Sequence, residues 1–246
     1  MRIVVASTPD AVAAEAARLV LDRVRQRPDL VLGLATGLTM VPFYRALLVR
    51  KAREHVSFDG LRIFALDEYR GGRPEQPGSC RGFLERHVLQ QLDVPSGQIH
   101  LLDGLAPDAE AECARYEELM ARTGGIDVQI LGIGGNGHIG FNEPGSSLES
   151  RTRLAPLSQA TRQANARQWG GDPQAVPSEA LTMGIGTILS ARTCLLLAFG
   201  AGKAAAVQSA IEGPVTASVP ASALQRHSDT VFLLDEEAAA RLSRRE

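Results

Sequence analysis

Cysteine is scarce in this sequence: the 246 residues hold three, Cys80, Cys113 and Cys194. They lie far apart, are odd in number and belong to no CxxC or Cys/His cluster, so neither a disulfide framework nor a zinc site is indicated. A reduced, cytoplasmic compartment is the expectation. No apolar run approaches the ~20 residues of a membrane span. The opening residues, MRIVVASTPD, lack the long apolar stretch of a signal peptide. An excess of one charge is missing too. Lys and Arg total 26 against 28 Asp and Glu, a formal net charge of −2, so neither nucleic acid nor an anionic membrane is expected as a partner. Repeats, low-complexity segments and long linkers are also absent. What remains, 44% hydrophobic and 22% charged residues, is ordinary globular composition, and the length suits one large domain over residues 1–246.

Apolar runs alternate with helical patterns along the whole chain. Strands are expected at Arg2–Ala6, Leu30–Ala35, Leu61–Leu66, Ile99–Leu102, Ile126–Ile133, Thr193–Phe199 and Thr230–Leu234. Between them, helical spacing is read over Ala11–Arg25, Val41–Arg53, from an N-cap at Ser79 through Leu92, and over Asp108–Arg122. It is read again over Thr161–Trp169, Ala180–Leu189, from Gly200-Ala201-Gly202 through Ile211, and over Asp235–Arg244. This alternation predicts an α/β fold: a single doubly wound, mostly parallel sheet with helices on both faces. Residues 145–177 carry little strand signal and are expected to form a helical lid.

The chain is organised around Ile126–Arg153, IDVQILGIGGNGHIGFNEPGSSLESRTR. A buried strand breaks at Gly132, Gly134, Gly135 and Gly137, and the side chains of chemical interest that follow are Asn136, His138 and Glu143. The end of a parallel strand is where open α/β sheets bind ligands, which makes this the expected active centre. The dinucleotide fingerprint GxGxxG also occurs here, but it leads into Asn142-Glu143-Pro144-Gly145 rather than a helix. No acidic residue ends a following strand ~20 positions on, so that reading is rejected.

Two further loops suit an anion. Thr36, Gly37 and Thr39 lie between a strand and a helix, and Lys203 follows Gly200-Ala201-Gly202 at another helix start. Asp67 and Glu68 are adjacent at a strand end. Strand neighbours face opposite ways, so at most one should face a crevice squarely. His55, His87, His100 and His227 have no partners at ligand spacing and read as solvated or structural.

The run NGHIGFNEPGSSLESRTR resembles the signature of the glucosamine-6-phosphate deaminase (isomerase) family, and the resemblance extends from LGLATG to ALTMGIGT. It implies His138 as a ring-opening acid/base, Glu143 as its partner and, through the similarity of FALDEYRGG to the family's DEY segment, Asp67 as the carrier of a proton between C2 and C1. Glu68 receives no role. ATGLT is similar to the family's phosphate loop, which implies phosphate binding by Thr36, Gly37, Leu38 and Thr39, with Leu38 where a second glycine is usual. GAGK and TRQANAR likewise imply Lys203 and Arg167 on the same phosphate. Asn136 stands where many members carry aspartate; it can hydrogen-bond but cannot relay a proton. Ala155 stands where allosterically regulated members have lysine.

The implied reaction converts glucosamine 6-phosphate and water into fructose 6-phosphate and ammonia, and needs no metal or redox cofactor. The partner is a small amino-sugar phosphate, and oligomeric state is left open. Three rival readings stand beside it. A 6-phosphogluconolactonase would share the fold, but usually shows DER and a GDGHxASLFP run where this chain has DEY and NGHIGFNEP. A galactosamine-6-phosphate deaminase differs only at a pocket the sequence does not display. A non-catalytic sugar-phosphate sensor sits poorly with Asp67, His138 and Glu143 all present.

Overall fold

The computed structural model describes residues 1–243. The strands are β1 (Arg2–Ala6), β2 (Val31–Leu34), β3 (Arg62–Ala65), β4 (Asp67–Tyr69), β5 (Ile99–His100), β6 (Val128–Gly132), β7 (Arg153–Pro156), β8 (Glu179–Thr182), β9 (Thr193–Ala198) and β10 (Thr230–Asp235). The helices are α1 (Pro9–Gln26), α2 (Met40–Arg53), α3 (Cys80–His87), α4 (Ala109–Arg122), α5 (Gln159–Asn165), α6 (Ile185–Leu189) and α7 (Ala204–Ile211).

Local chemistry sets the helix starts. The Thr8 hydroxyl accepts the Ala11 N–H, Pro9 takes the first turn of α1, and Asp10 meets the positive end of its dipole. The apolar stripe Val12, Ala13, Ala16, Ala17, Val20, Leu21 and Val24 then turns inward. Asp108 and Ser158 cap α4 and α5 in the same way.

Seven strands form one sheet in the order β1-β10-β9-β6-β2-β3-β5, and every pair in it is parallel. Helices cover both faces, so β2, β9 and β10 are buried along their whole length. From β2 the chain winds outward through β3 to β5. It then returns to the centre at β6 and winds the other way through β9 and β10. The direction reverses between β2 and β6, the position at which such sheets open a crevice at their carboxyl ends.

A second sheet was not foreseen. Asp67–Tyr69 does not simply end the third strand; it forms β4, which pairs antiparallel with β8, and β8 pairs antiparallel with β7. The expected helix over Ala180–Leu189 is therefore wrong in its first half. Pairing on both sides holds Glu179–Thr182 extended, and tertiary context overrides helical spacing there. Gly184 then lies against the carbonyls of Ser150 and Arg151, where a Cβ would sit 2.2 Å from the Ser150 oxygen, and α6 starts only after it.

The helix expected over Asp235–Arg244 is also absent over the described residues, and Arg244 lies outside them. The Asp235 carboxylate accepts from Gly200 N and Ala238 N, which holds the following residues in turns. The helix after Ser79 ends at His87 and gives way to a 3-10 turn at Leu89–Gln91. Residues 145–177, expected to be helical, also contain β7. This region packs over Tyr69 through a small second core of Phe141, Leu157, Ala166 and Val176, with Trp169 edge-on to the Tyr69 ring at 5.2 Å.

Candidate active site

Four adjacent strands of the parallel sheet deliver the predicted residues to one edge. The carboxyl end of β9 leads to Lys203, β6 to Asn136 and His138, β2 to the Thr36–Thr39 loop and β3 to Asp67. Residues up to 167 positions apart in the chain, Thr36 and Lys203, thus share one rim.

The turn after β6 is built around the histidine. The Gly134 N–H donates to the His138 carbonyl at 2.9 Å and Gly137 N to the Gly134 carbonyl at 3.0 Å. A Cβ on Gly134 would lie 2.2 Å from His138 Cε1, so the ring rests on a position only glycine can leave open. Gly137 turns through φ +85°, the left-handed region. Gly134 thus seats the imidazole.

Asn136 stands between His138 and Glu143. Its Oδ1 accepts from the His138 backbone N–H at 3.2 Å and lies 2.7 Å from His138 Nδ1. Its Nδ2 donates to Glu143 Oε2 at 3.0 Å. A backbone N–H can only donate and a carboxylate can only accept, so both neighbours fix the amide the same way round. The His138 Nδ1 must then carry the proton in the neutral ring, leaving Nε2 as the acceptor. Glu143 Oε2 is 4.0 Å from Nδ1, within reach of its charge.

Burial lowers the His138 pKa, the Glu143 charge raises it and the Lys203 charge lowers it, with the net direction downward. Burial pushes Glu143 up, but hydrogen bonds from Thr161 and Asn136, the His138 charge and the Ser158 N–H outweigh it and keep the carboxyl ionised. Ser158 N and Oγ donate to Glu143 Oε1 at 3.2 and 3.1 Å. Ser158 and Thr161 are contacts that sequence reasoning missed. They come from the far side of β7, and nothing in their spacing from Glu143 announces the meeting.

A buried bracket steadies this loop. Asn142 Nδ2 donates to the carbonyls of Ile139 and Met183, and Asn142 Oδ1 accepts from Arg153 Nη1 at 2.7 Å. Arg153 Nη2 also donates to Ser146 Oγ, and Arg151 pairs with Glu117. Both arginines thus order the loop.

The adjacent acids divide sharply. Glu68 accepts from Tyr69 N, Ser79 Oγ, Cys80 N and Arg81 N at 2.8–3.0 Å, and so anchors the start of α3. The sequence had left it without a role. Asp67 is 5% exposed and its Oδ1 has no hydrogen-bond partner. Burial pushes Asp67 up to about 7, with the Cys80 thiol pulling the value down and the Glu68 charge adding to the rise. A carboxyl poised there can both take and return a proton near neutral pH.

At the other loops, Gly37 adopts φ +105° beside open space, and Leu38 projects into solvent, 60% exposed. Thr39 precedes α2, whose first turn has no acidic residue to neutralise its positive end. Lys203 is half-buried, burial lowers its pKa, and among the described residues it forms no ion pair. Arg167 is exposed on the 3-10 turn Ala166–Trp169, where Asn165 donates to the Tyr69 hydroxyl, and it too is unpaired among the described residues. No group of three or more His, Cys, Asp or Glu could hold a metal among the described residues. No helix among them is long and apolar enough to cross a membrane.

A parallel α/β fold with acid–base groups and unpaired cations on the carboxyl edge of its sheet has the layout of an enzyme for a small anionic substrate. The chain belongs to the family described as glucosamine-6-phosphate isomerases/6-phosphogluconolactonase, whose model matches residues 6–233. It is 45% identical over 243 residues to glucosamine-6-phosphate deaminase 2 of Bacillus subtilis (strain 168), covering 98% of each chain. It is 46% identical over 242 residues to glucosamine-6-phosphate deaminase of Hahella chejuensis, covering 98% of this chain and 92% of that one. A solved structure described as a monomeric glucosamine-6-phosphate deaminase superposes with a TM-score of 0.95 at 44% identity, covering 98% of this chain and 99% of that one. The 6-phosphogluconolactonase of Trypanosoma brucei shares the fold at a TM-score of 0.76 and 24% identity, over 98% of each chain.

Proposed function

We propose that this protein is a glucosamine-6-phosphate deaminase, converting glucosamine 6-phosphate and water into fructose 6-phosphate and ammonia. The observation that carries the reading is the division between the adjacent acids: Asp67 is buried with a free oxygen while Glu68 is consumed by the fold. In this reading His138 opens the sugar ring, taking the proton of the C1 hydroxyl and supplying one to the ring oxygen. Nε2 is the nitrogen that works, because Asn136 occupies Nδ1. Asp67 then removes the C2 proton; the C–H electron pair forms the C1–C2 double bond as the C1 carbonyl π pair moves to O1, which takes up a proton, and the nitrogen lone pair of this enolamine then drives return of a proton to C1. The resulting C2 imine adds water and releases ammonia. Thr36, Gly37, Leu38, Thr39, Arg167 and Lys203 hold the phosphate, and residues 145–177 act as a lid over it.

Release of ammonia from glucosamine 6-phosphate and galactosamine 6-phosphate, measured side by side, tests this. Turnover of the first supports the reading, whereas turnover of neither leaves the sensor. A lactonase is less well supported, since the Trypanosoma brucei lactonase is 24% identical to this chain against 44–46% for the deaminases reported above. Ala155, buried in β7 opposite Ala180, offers no cation to an effector. Hyperbolic kinetics insensitive to N-acetylglucosamine 6-phosphate are therefore expected, and a sigmoidal curve straightened by that compound would contradict this.

A further inference from the structure

We propose that Thr182 is a positioning residue that joins the two proton-moving groups: its hydroxyl clasps the loop that follows His138 to the strand that begins at Asp67. The inference rests on the reading of His138 and Asp67 as those groups. In that reading they act in turn on C1, C2 and the ring oxygen, atoms that are neighbours in the sugar. Yet they reach the site from β6 and β3, which are not neighbours in the sheet. Strand pairing alone does not fix their separation. Thr182 ends β8, is buried, and lies opposite Asp67 in the antiparallel ladder with β4. Its Oγ1 accepts the Phe141 N–H at 3.1 Å, in the loop between His138 and Glu143. The Thr182 hydroxyl hydrogen is directed to the Met183 carbonyl at 3.3 Å, which leaves the oxygen's lone pairs for that N–H.

The surrounding contacts bind the same two segments. Gly140 turns through φ +55°, and a Cβ there would lie 2.9 Å from Thr182 Oγ1 and 3.4 Å from Leu66 Cδ2. Leu66 immediately precedes Asp67, and its carbonyl accepts from Met183 N at 2.9 Å. The Met183 carbonyl accepts in turn from Asn142 Nδ2 at 2.8 Å. The Phe141 ring lies 4.9 Å from that of Tyr69, the last residue of β4. The loop from His138 to Glu143 is therefore seated on β8 and on the backbone that carries Asp67. Valine keeps the branched outline of Thr182 but replaces the hydroxyl by a methyl group. The buried Phe141 N–H then loses its acceptor and must move to find another, so the loop shifts against Asp67.

The test compares Thr182→Val and Thr182→Ser with the parent protein. Ammonia release per folded molecule gives kcat and KM, and amide hydrogen exchange at Phe141 reads the clasp directly. Thr182→Val should lower kcat by roughly 10- to 100-fold, the scale of a misplacement of about 1 Å. KM should stay within about threefold, because the residues read as phosphate ligands lie on other segments. The Phe141 amide should lose its protection in the same variant. Thr182→Ser keeps the oxygen and should restore both kcat and protection. Should Thr182→Val fail to fold, Gly140→Ala takes its place: its Cβ lifts the loop from Thr182 with β8 unaltered, and kcat should fall in the same way. A folded variant of either kind whose kcat stays within about threefold of the parent overturns the proposal, as does a serine variant as slow as the valine one. A parent that releases no ammonia, or an Asp67→Asn variant that retains C2 hydrogen exchange, defeats the reading of the site instead. Phe141 protection still judges the Thr182 clasp by itself.

Discussion

The two edges of the parallel sheet treat charge in opposite ways. At the amino edge Asp127 is as buried as Asp67, each 5% exposed. Asp127 is nevertheless fully engaged: it accepts from Val31 N at 2.8 Å, from Arg192 at 2.6 Å and from Arg27. At the carboxyl edge Asp67 keeps an unpartnered oxygen, and Lys203 and Arg167 form no ion pairs among the described residues. A buried charge without a partner costs stability, so a fold that leaves it so leaves it for a ligand or a reaction. The paired edge holds the sheet together, and the unpaired edge is the one we propose for the chemistry.

The sharpest way to test that division is Asp67→Asn. It should lower C2 hydrogen exchange by roughly 10³–10⁴. It should also make the protein more stable at high pH. The Asp67 pKa of about 7 lies above its unfolded value. Its contribution to stability is therefore complete only below about pH 4 and is lost as pH rises through 7. Thermal melts of Asp67→Asn and the parent should diverge between about pH 4 and pH 7 with the variant ahead, by at most ~1.4 kcal/mol for each pH unit separating folded and unfolded values. A variant that is inactive but no more stable at pH 8 would show that the burial cost is offset elsewhere.

Next comes Glu143→Gln, expected to slow ring opening by roughly 10²–10³. Its charge raises the His138 pKa, so NMR titration should find that pKa lowered in the variant. Asn136→Ala should be milder, since Glu143 keeps Ser158 and Thr161. If Glu143→Gln changes neither rate nor titration, the His138–Glu143 pairing is wrong. Lys203→Ala removes one charged contact to phosphate and should raise KM by about ten- to hundredfold with a smaller change in kcat; an unchanged KM removes it from the site.

The smallest catalytic effect belongs to the opposite edge. Asp127→Ala should cost about 1–3 kcal/mol of stability, a value discounted because Arg27 and Arg192 both reach solvent. Denaturant melts would measure it, and kcat per folded molecule should be unchanged. A comparable loss of kcat would erase the contrast between the edges.

The parallel α/β class was legible in the chain alone, because apolar runs alternate with helical spacing and β2, β9 and β10 read as near-continuous apolar runs. The chain also determined which residues to suspect at the carboxyl edge: strand-end glycines and polar side chains are local signals, and the family signature gave His138, Glu143 and Asp67 their implied roles. Only the tertiary structure decided the small antiparallel sheet, since whether Glu179–Thr182 is strand or helix depends on β4 and β7 lying on either side of it. The unequal surroundings of Asp67 and Glu68 also come from folding, because the Ser79 hydroxyl and the N–H groups of Cys80 and Arg81 reach Glu68 from 11–13 residues later. The contacts of Ser158 with Glu143 and of Thr182 with Phe141 were invisible for the same reason. Hydrogen-bond partners brought together by folding leave no periodicity in the chain, whereas burial of a strand or helix face does.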